Sequence, residues 1–109
     1  MKECKCTSCK HIYTVIYEPG SAESVLKCEE CGKLWYNILY EQMSFSNADD
    51  DLDLYQIPIT PEEYKKITET KYKDLNLNFL KGRNARIEHK GGVVEISSDL
   101  ALNRCGRSH

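Results

Sequence analysis

The chain has 109 residues, 40% of them hydrophobic and 29% charged, with a formal net charge of −2. That is the balance of one small globular domain, and the slightly acidic total argues against a general nucleic-acid binder, which is usually basic. The opening Met1-Lys2-Glu3-Cys4-Lys5-Cys6 lacks the apolar core of a signal peptide, and no apolar run is long enough to span a bilayer. A reducing, cytoplasmic setting is therefore expected, with the cysteines as thiolate ligands rather than disulfides.

Cys6-Thr7-Ser8-Cys9 and Cys28-Glu29-Glu30-Cys31 are two Cys-x-x-Cys turns with residues 10–27 between them. Two residues between cysteines let one tight turn aim both sulfurs at one ion, and two such turns complete a tetrahedral sulfur site that suits Zn²⁺. The expected ligands are Cys6, Cys9, Cys28 and Cys31. Gly32 follows the second pair, where the backbone commonly needs a positive φ. The first pair has Lys10 in that place. Cys4 and His11 lie close enough in sequence to replace a ligand, and that choice stays open. Cys105 is too distant to pair by spacing.

Between the turns, His11-Ile12-Tyr13-Thr14-Val15-Ile16-Tyr17 is β-branched and aromatic and predicts a strand. Glu18-Pro19-Gly20-Ser21 is a turn, and Ser24-Val25-Leu26-Lys27 predicts a returning strand that delivers Cys28. Lys33 to Glu41 predicts a third strand, with room to continue through Met43 and Phe45. Residues 4–41 thus resemble a zinc ribbon, on Cys6-x-x-Cys9, Cys28-x-x-Cys31-Gly32 and the aromatic strand from Leu34 to Tyr40. The resemblance covers about a third of the chain and implies a fold and a structural zinc, not an activity.

Residues 41–53 carry Glu41, Asp49, Asp50, Asp51 and Asp53 with no base. These acids lack the ligand spacing of a calcium loop, so they are read as a solvated or partner-facing patch. Leu52 to Ile59 alternates as a strand, with Pro58 placing it at an edge or ending it. Thr60-Pro61-Glu62-Glu63 starts a helix, with Thr60 as N-cap, Pro61 as first helical residue and Glu63 closing a capping box. The helix is expected over about residues 60–73, its Tyr64, Ile67 and Tyr72 facing the core. Residues 75–79 fit either a strand or a continuation of the helix. Residues 85–89 and 93–97 flank Lys90-Gly91-Gly92 as a β-hairpin.

The expected fold is therefore α+β: an N-terminal zinc ribbon (1–41), a remainder (42–98) packed on or extending its sheet, and a flexible tail (99–109). No catalytic residue is nominated. The chain has no phosphate-binding loop, nucleophile elbow or deaminase signature, and His11, His89 and His109 are scattered.

The layout also resembles small bacterial immunity proteins that pair with secreted toxins: a ribbon-like start, an aromatic strand, an acidic turn, then Tyr55-Gln56-Ile57-Pro58-Ile59-Thr60-Pro61-Glu62-Glu63-Tyr64 leading into a helix. That resemblance implies a cytoplasmic antidote for one cognate toxin, for example a nuclease whose basic cleft an acidic surface would cover. Asp49, Asp50, Asp51, Asp53 and Tyr55 are the expected partner-binding residues. The alternative is a nucleic-acid-binding zinc ribbon, a transcription or phage regulatory factor. Its phosphate contacts would come from Lys65, Lys66, Lys71, Lys73, Lys81, Arg83, Arg86 and Lys90, and its stacking from Trp35 or Tyr36.

Overall fold

Alternation of side chains along the strands builds one sheet with two unlike faces. A computed structural model describes residues 6, 8–18, 21–42, 51–89 and 92–104. Their strands are β1 (Cys9–Glu18), β2 (Ser21–Cys28), β3 (Leu34–Gln42), β4 (Asp51–Ile59), β5 (Asn84–His89) and β6 (Gly92–Ser97). They form a single antiparallel sheet in chain order. The ribbon-like first three strands and the later strands are thus continuous, because β3 pairs with β4 along its whole length, Leu34 opposite Ile59 through Gln42 opposite Asp51.

One face is the core. Val25 of β2, Leu34, Tyr36 and Ile38 of β3, Tyr55, Ile57 and Ile59 of β4 and Ala85 of β5 all bury there. The period of two in each strand puts them on the same side. Helix α1 (Pro61–Glu69) covers this face with Ile67, and Tyr64 meets Tyr13 of β1 edge to face at 6.3 Å between ring centroids. Thr60 caps α1: its hydroxyl accepts from the Glu63 amide and the Glu63 carboxylate accepts from the Thr60 amide. The α-helix stops at Glu69. Two 3₁₀ turns follow, Tyr72–Asp74 and Leu77–Leu80, and bury Leu75, Leu77 and Leu80. Residues 75–79, which fit a strand or a helix, are therefore mostly tight turns.

Two expectations are corrected. The tail expected over 99–109 begins instead as helix α2 (Ser98–Arg104), with Ala101 and Leu102 fully inside the core. The helix is anchored because the Ser98 amide donates to the Arg83 carbonyl at 2.9 Å and Asp99 accepts from the Gly82 amide at 2.7 Å. The strand containing Pro58 is interior, not an edge. It tolerates proline because the β4–β5 ladder stops at Gln56, leaving Pro58 on a stretch paired only with β3.

Arg83 closes this layer. Its guanidinium grips both Glu63 carboxylate oxygens, at 2.8 and 3.0 Å, and donates to the carbonyls of Pro58 and Phe79. The bidentate pair holds the Glu63 carboxyl below its usual range, chiefly through the Arg83 hydrogen bonds, and raises Arg83 in turn. At the other end of the core face, the buried Glu23 carboxylate accepts from the Tyr36 hydroxyl.

Candidate metal centre

The opposite face of the sheet carries the cysteines. Antiparallel pairing of β1 with β2 sets Cys9 directly across from Cys28, so the end of the first Cys-x-x-Cys turn meets the start of the second. The second turn is closed by its own backbone. The Gly32 amide donates to the Cys28 carbonyl at 2.9 Å and the Cys28 amide to the Lys33 carbonyl at 2.9 Å. Gly32 has φ +80°. A side chain there would find space, with nothing nearer than Lys27 Cε at 4.0 Å, so glycine serves the backbone conformation rather than a close approach. The Glu29 amide donates to the Ser8 carbonyl at 3.0 Å and fastens the two turns together.

Three cysteines lie close enough to hold a metal ion. The Sγ atoms of Cys6, Cys28 and Cys31 are all within 4.8 Å of one another, and Cys6 and Cys31 approach to 3.6 Å. Tetrahedral thiolates at the usual zinc–sulfur distance stand about 3.8 Å apart. Cys6 and Cys28 are buried, at 3% and 1% exposure, while Cys31 opens to solvent. The fourth expected ligand, Cys9, packs against this group without joining its sulfur cluster. Its thiol donates to the Cys6 carbonyl at 3.1 Å, and it lies 3.9 Å from Arg86 Nη2. Burial pushes the Cys9 thiol up from its ordinary value, with the Arg86 charge acting against that rise.

Trp35, the second-face neighbour of the core residues Leu34 and Tyr36, forms the floor of the cluster with Leu26. It is 7% exposed, and its indole N–H is buried without a hydrogen-bond partner of good geometry. The indole nevertheless favours the thiolate form of Cys6, opposing the burial that pushes this thiol up. A metal-bound sulfur at Cys6 is the acceptor this donor lacks, so the donor set fits a soft, thiolate-binding cation. Lys33 and Arg86 also lie over the Trp35 ring, at 4.6 and 4.1 Å from its centroid, and bring positive charge to a centre that would be anionic.

The other sequence candidates fall as follows. His11 bonds the Thr14 hydroxyl through Nε2 at 2.8 Å and is not among the clustered ligands. Cys4 and Cys105 lie outside the described residues, as do Met43 and Phe45 at the expected continuation of β3. Asp49 and Asp50 also lie outside them, and Asp51 is described only as the backbone that opens β4. Asp53 and Tyr55 point to the core face of β4 and are buried, Tyr55 at 1% exposure, so neither offers a partner a contact surface. Among the residues proposed for nucleic acid, Trp35 and Tyr36 are buried, Arg83 is held by Glu63 and Arg86 by Gln56.

Sequence reasoning missed Asn37 and Gln56 and placed Arg86 only among candidate phosphate contacts, not at the metal centre. Their only signal was polarity at alternate positions of apolar strands. No protein-family model matches the chain, and no curated protein or solved structure is similar to it at a level that carries an argument. No helix among the described residues is long and apolar enough to cross a membrane.

Proposed function

We propose that this chain is a non-catalytic, zinc-stabilised protein-binding domain, in which Cys6, Cys9, Cys28 and Cys31 hold one Zn²⁺. The observation that carries the reading is the convergence of the Cys6, Cys28 and Cys31 sulfurs at one end of the sheet, two of them buried. Cys9 completes the set by rotating its thiol away from the Cys6 carbonyl. A closed four-sulfur shell has no open position for water or substrate, so its zinc supplies folding energy rather than Lewis-acid chemistry. The first three strands with their metal are then a zinc ribbon built into a larger sheet.

The partner is read as a cognate bacterial toxin domain with a basic surface, which the chain neutralises as an immunity protein. The support is the run of acids without a base over residues 41–53 and the layout described above. With Asp53 and Tyr55 buried, the contact is assigned to Asp49, Asp50 and Asp51. The nucleic-acid alternative loses its stacking residues to the interior, and no specific observation favours it.

Co-expression with the product of the neighbouring upstream gene tests this reading. A stable complex that restores growth, weakened by the triple Asp49, Asp50 and Asp51→Ala variant, is the expected result. No complex, or a complex indifferent to those substitutions, would remove the immunity assignment.

A further inference from the structure

Strand pairing aligns one residue from each of the six strands in a single polar row. Thr14 is opposite Ser24, Ser24 opposite Asn37, Asn37 opposite Gln56, Gln56 opposite Arg86 and Arg86 opposite Glu95. The row runs across the face that carries the cysteines, between apolar positions such as Trp35, Leu39 and Leu54. Its central members bond in one direction. Arg86 Nε donates to Gln56 Oε1 at 2.6 Å, Gln56 Nε2 to Asn37 Oδ1 at 3.3 Å, and Asn37 Nδ2 to Ser24 Oγ at 3.4 Å. Gln56 is only 4% exposed. A buried amide with both ends engaged is costly to rotate, so the row fixes the guanidinium from behind.

The front of the guanidinium faces the metal centre. Nη2 donates to the Cys6 carbonyl at 2.9 Å and lies 3.9 Å from Cys9 Sγ, with the guanidinium carbon over Trp35. A residue of β5 thus reaches the first Cys-x-x-Cys turn, which no strand pairing with β5 would bring there. Cys6 itself has φ 52°, an unusual backbone for a residue with a side chain. Arg86 holds the carbonyl of that strained residue.

We propose that Arg86 is the positioning residue of the metal centre: anchored by Gln56, Asn37 and Ser24, it clamps the Cys6 carbonyl over Trp35 and so holds the first Cys-x-x-Cys turn, with Cys6 and Cys9, against Cys28 and Cys31. This rests on the metal reading above. Arginine suits the task because its planar fork can bond Gln56 behind and the turn in front at the same time, whereas lysine is a single point donor. Groups that orient metal ligands in this way typically contribute 10- to 100-fold to metal affinity.

The test is cobalt(II) titration of the full chain, read by the thiolate-to-cobalt charge-transfer and d–d bands. Wild type is expected to give a tetrahedral four-thiolate spectrum. Arg86→Met and Arg86→Lys are both expected to bind cobalt about 10- to 100-fold more weakly. Their spectra should show fewer than four thiolates, as that of Cys9→Ser does. Gln56→Leu, which leaves every group at the centre in place, should move the spectrum the same way and serves as the reading if the Arg86 variants fail to fold. Four-thiolate spectra and wild-type affinity in these variants would overturn the positioning role while leaving the metal centre standing. A wild-type chain that takes up no cobalt would overturn the metal centre itself, and the positioning role with it.

Discussion

Replacing Arg83 with Met should cost far more than an ordinary surface substitution. The guanidinium makes four hydrogen bonds, two to Glu63 and one each to the carbonyls of Pro58 and Phe79. Bonds to charged groups contribute about 1.5–3 kcal/mol each when buried. Here the side chains are 27% and 19% exposed, and solvent screening discounts the ion pair. A total of about 3 kcal/mol is reasonable. For a domain of this size that lowers the melting temperature by about 12 °C.

The pH dependence carries a sign. Glu63 has a lowered carboxyl pKa in the folded chain, so its stabilisation is present above the unfolded pKa and is lost as pH falls through the folded one. Urea unfolding of wild type, Arg83→Met, Glu63→Gln and the double variant, at fixed zinc concentration, measures the coupling. The expected coupling is above about 1 kcal/mol at neutral pH, and wild type and Glu63→Gln should converge in acid. Additive effects, or a gap that persists below the folded pKa of Glu63, would refute the latch.

Tyr36→Phe removes one donor from the buried Glu23 carboxylate and should destabilise by about 1–3 kcal/mol, read by the same unfolding experiment. A neutral effect would mean that the carboxylate is satisfied without that hydroxyl. Leu102→Ala should cost about 2–5 kcal/mol, as for any fully buried leucine, whereas a loose tail would tolerate it without change.

Local chemistry was the readable part of this chain. The turn of Cys28 to Gly32 is complete within six residues, Cys28 to Lys33, and the Thr60 cap within four, so spacing alone points to both. Face assignment was not local. Whether Tyr55 is a surface aromatic or a core one depends on which face of β4 is covered, and the core residues that cover it, such as Ile67, Leu77, Leu80 and Leu102, come later in the chain. The polar row has the same difficulty in stronger form. Ser24, Asn37, Gln56 and Arg86 are unremarkable polar residues until three strand registers align them. Helix α2 was hidden because its Ala101 and Leu102 span too short a segment to show a periodic pattern, and the core rather than helix propensity holds them. The Cys9 thiol is turned to the Cys6 carbonyl, a rotamer that no spacing rule reaches.

Thermal unfolding of the zinc-loaded full chain, before and after a strong chelator, tests the central claim most directly. Zinc present at a thousand times its dissociation constant adds about 4 kcal/mol to stability. Chelation should therefore lower the melting temperature by about 15 °C or more and strip β-sheet signal from the first three strands. An unchanged melting temperature and circular dichroism spectrum after chelation would contradict a structural metal held by these cysteines.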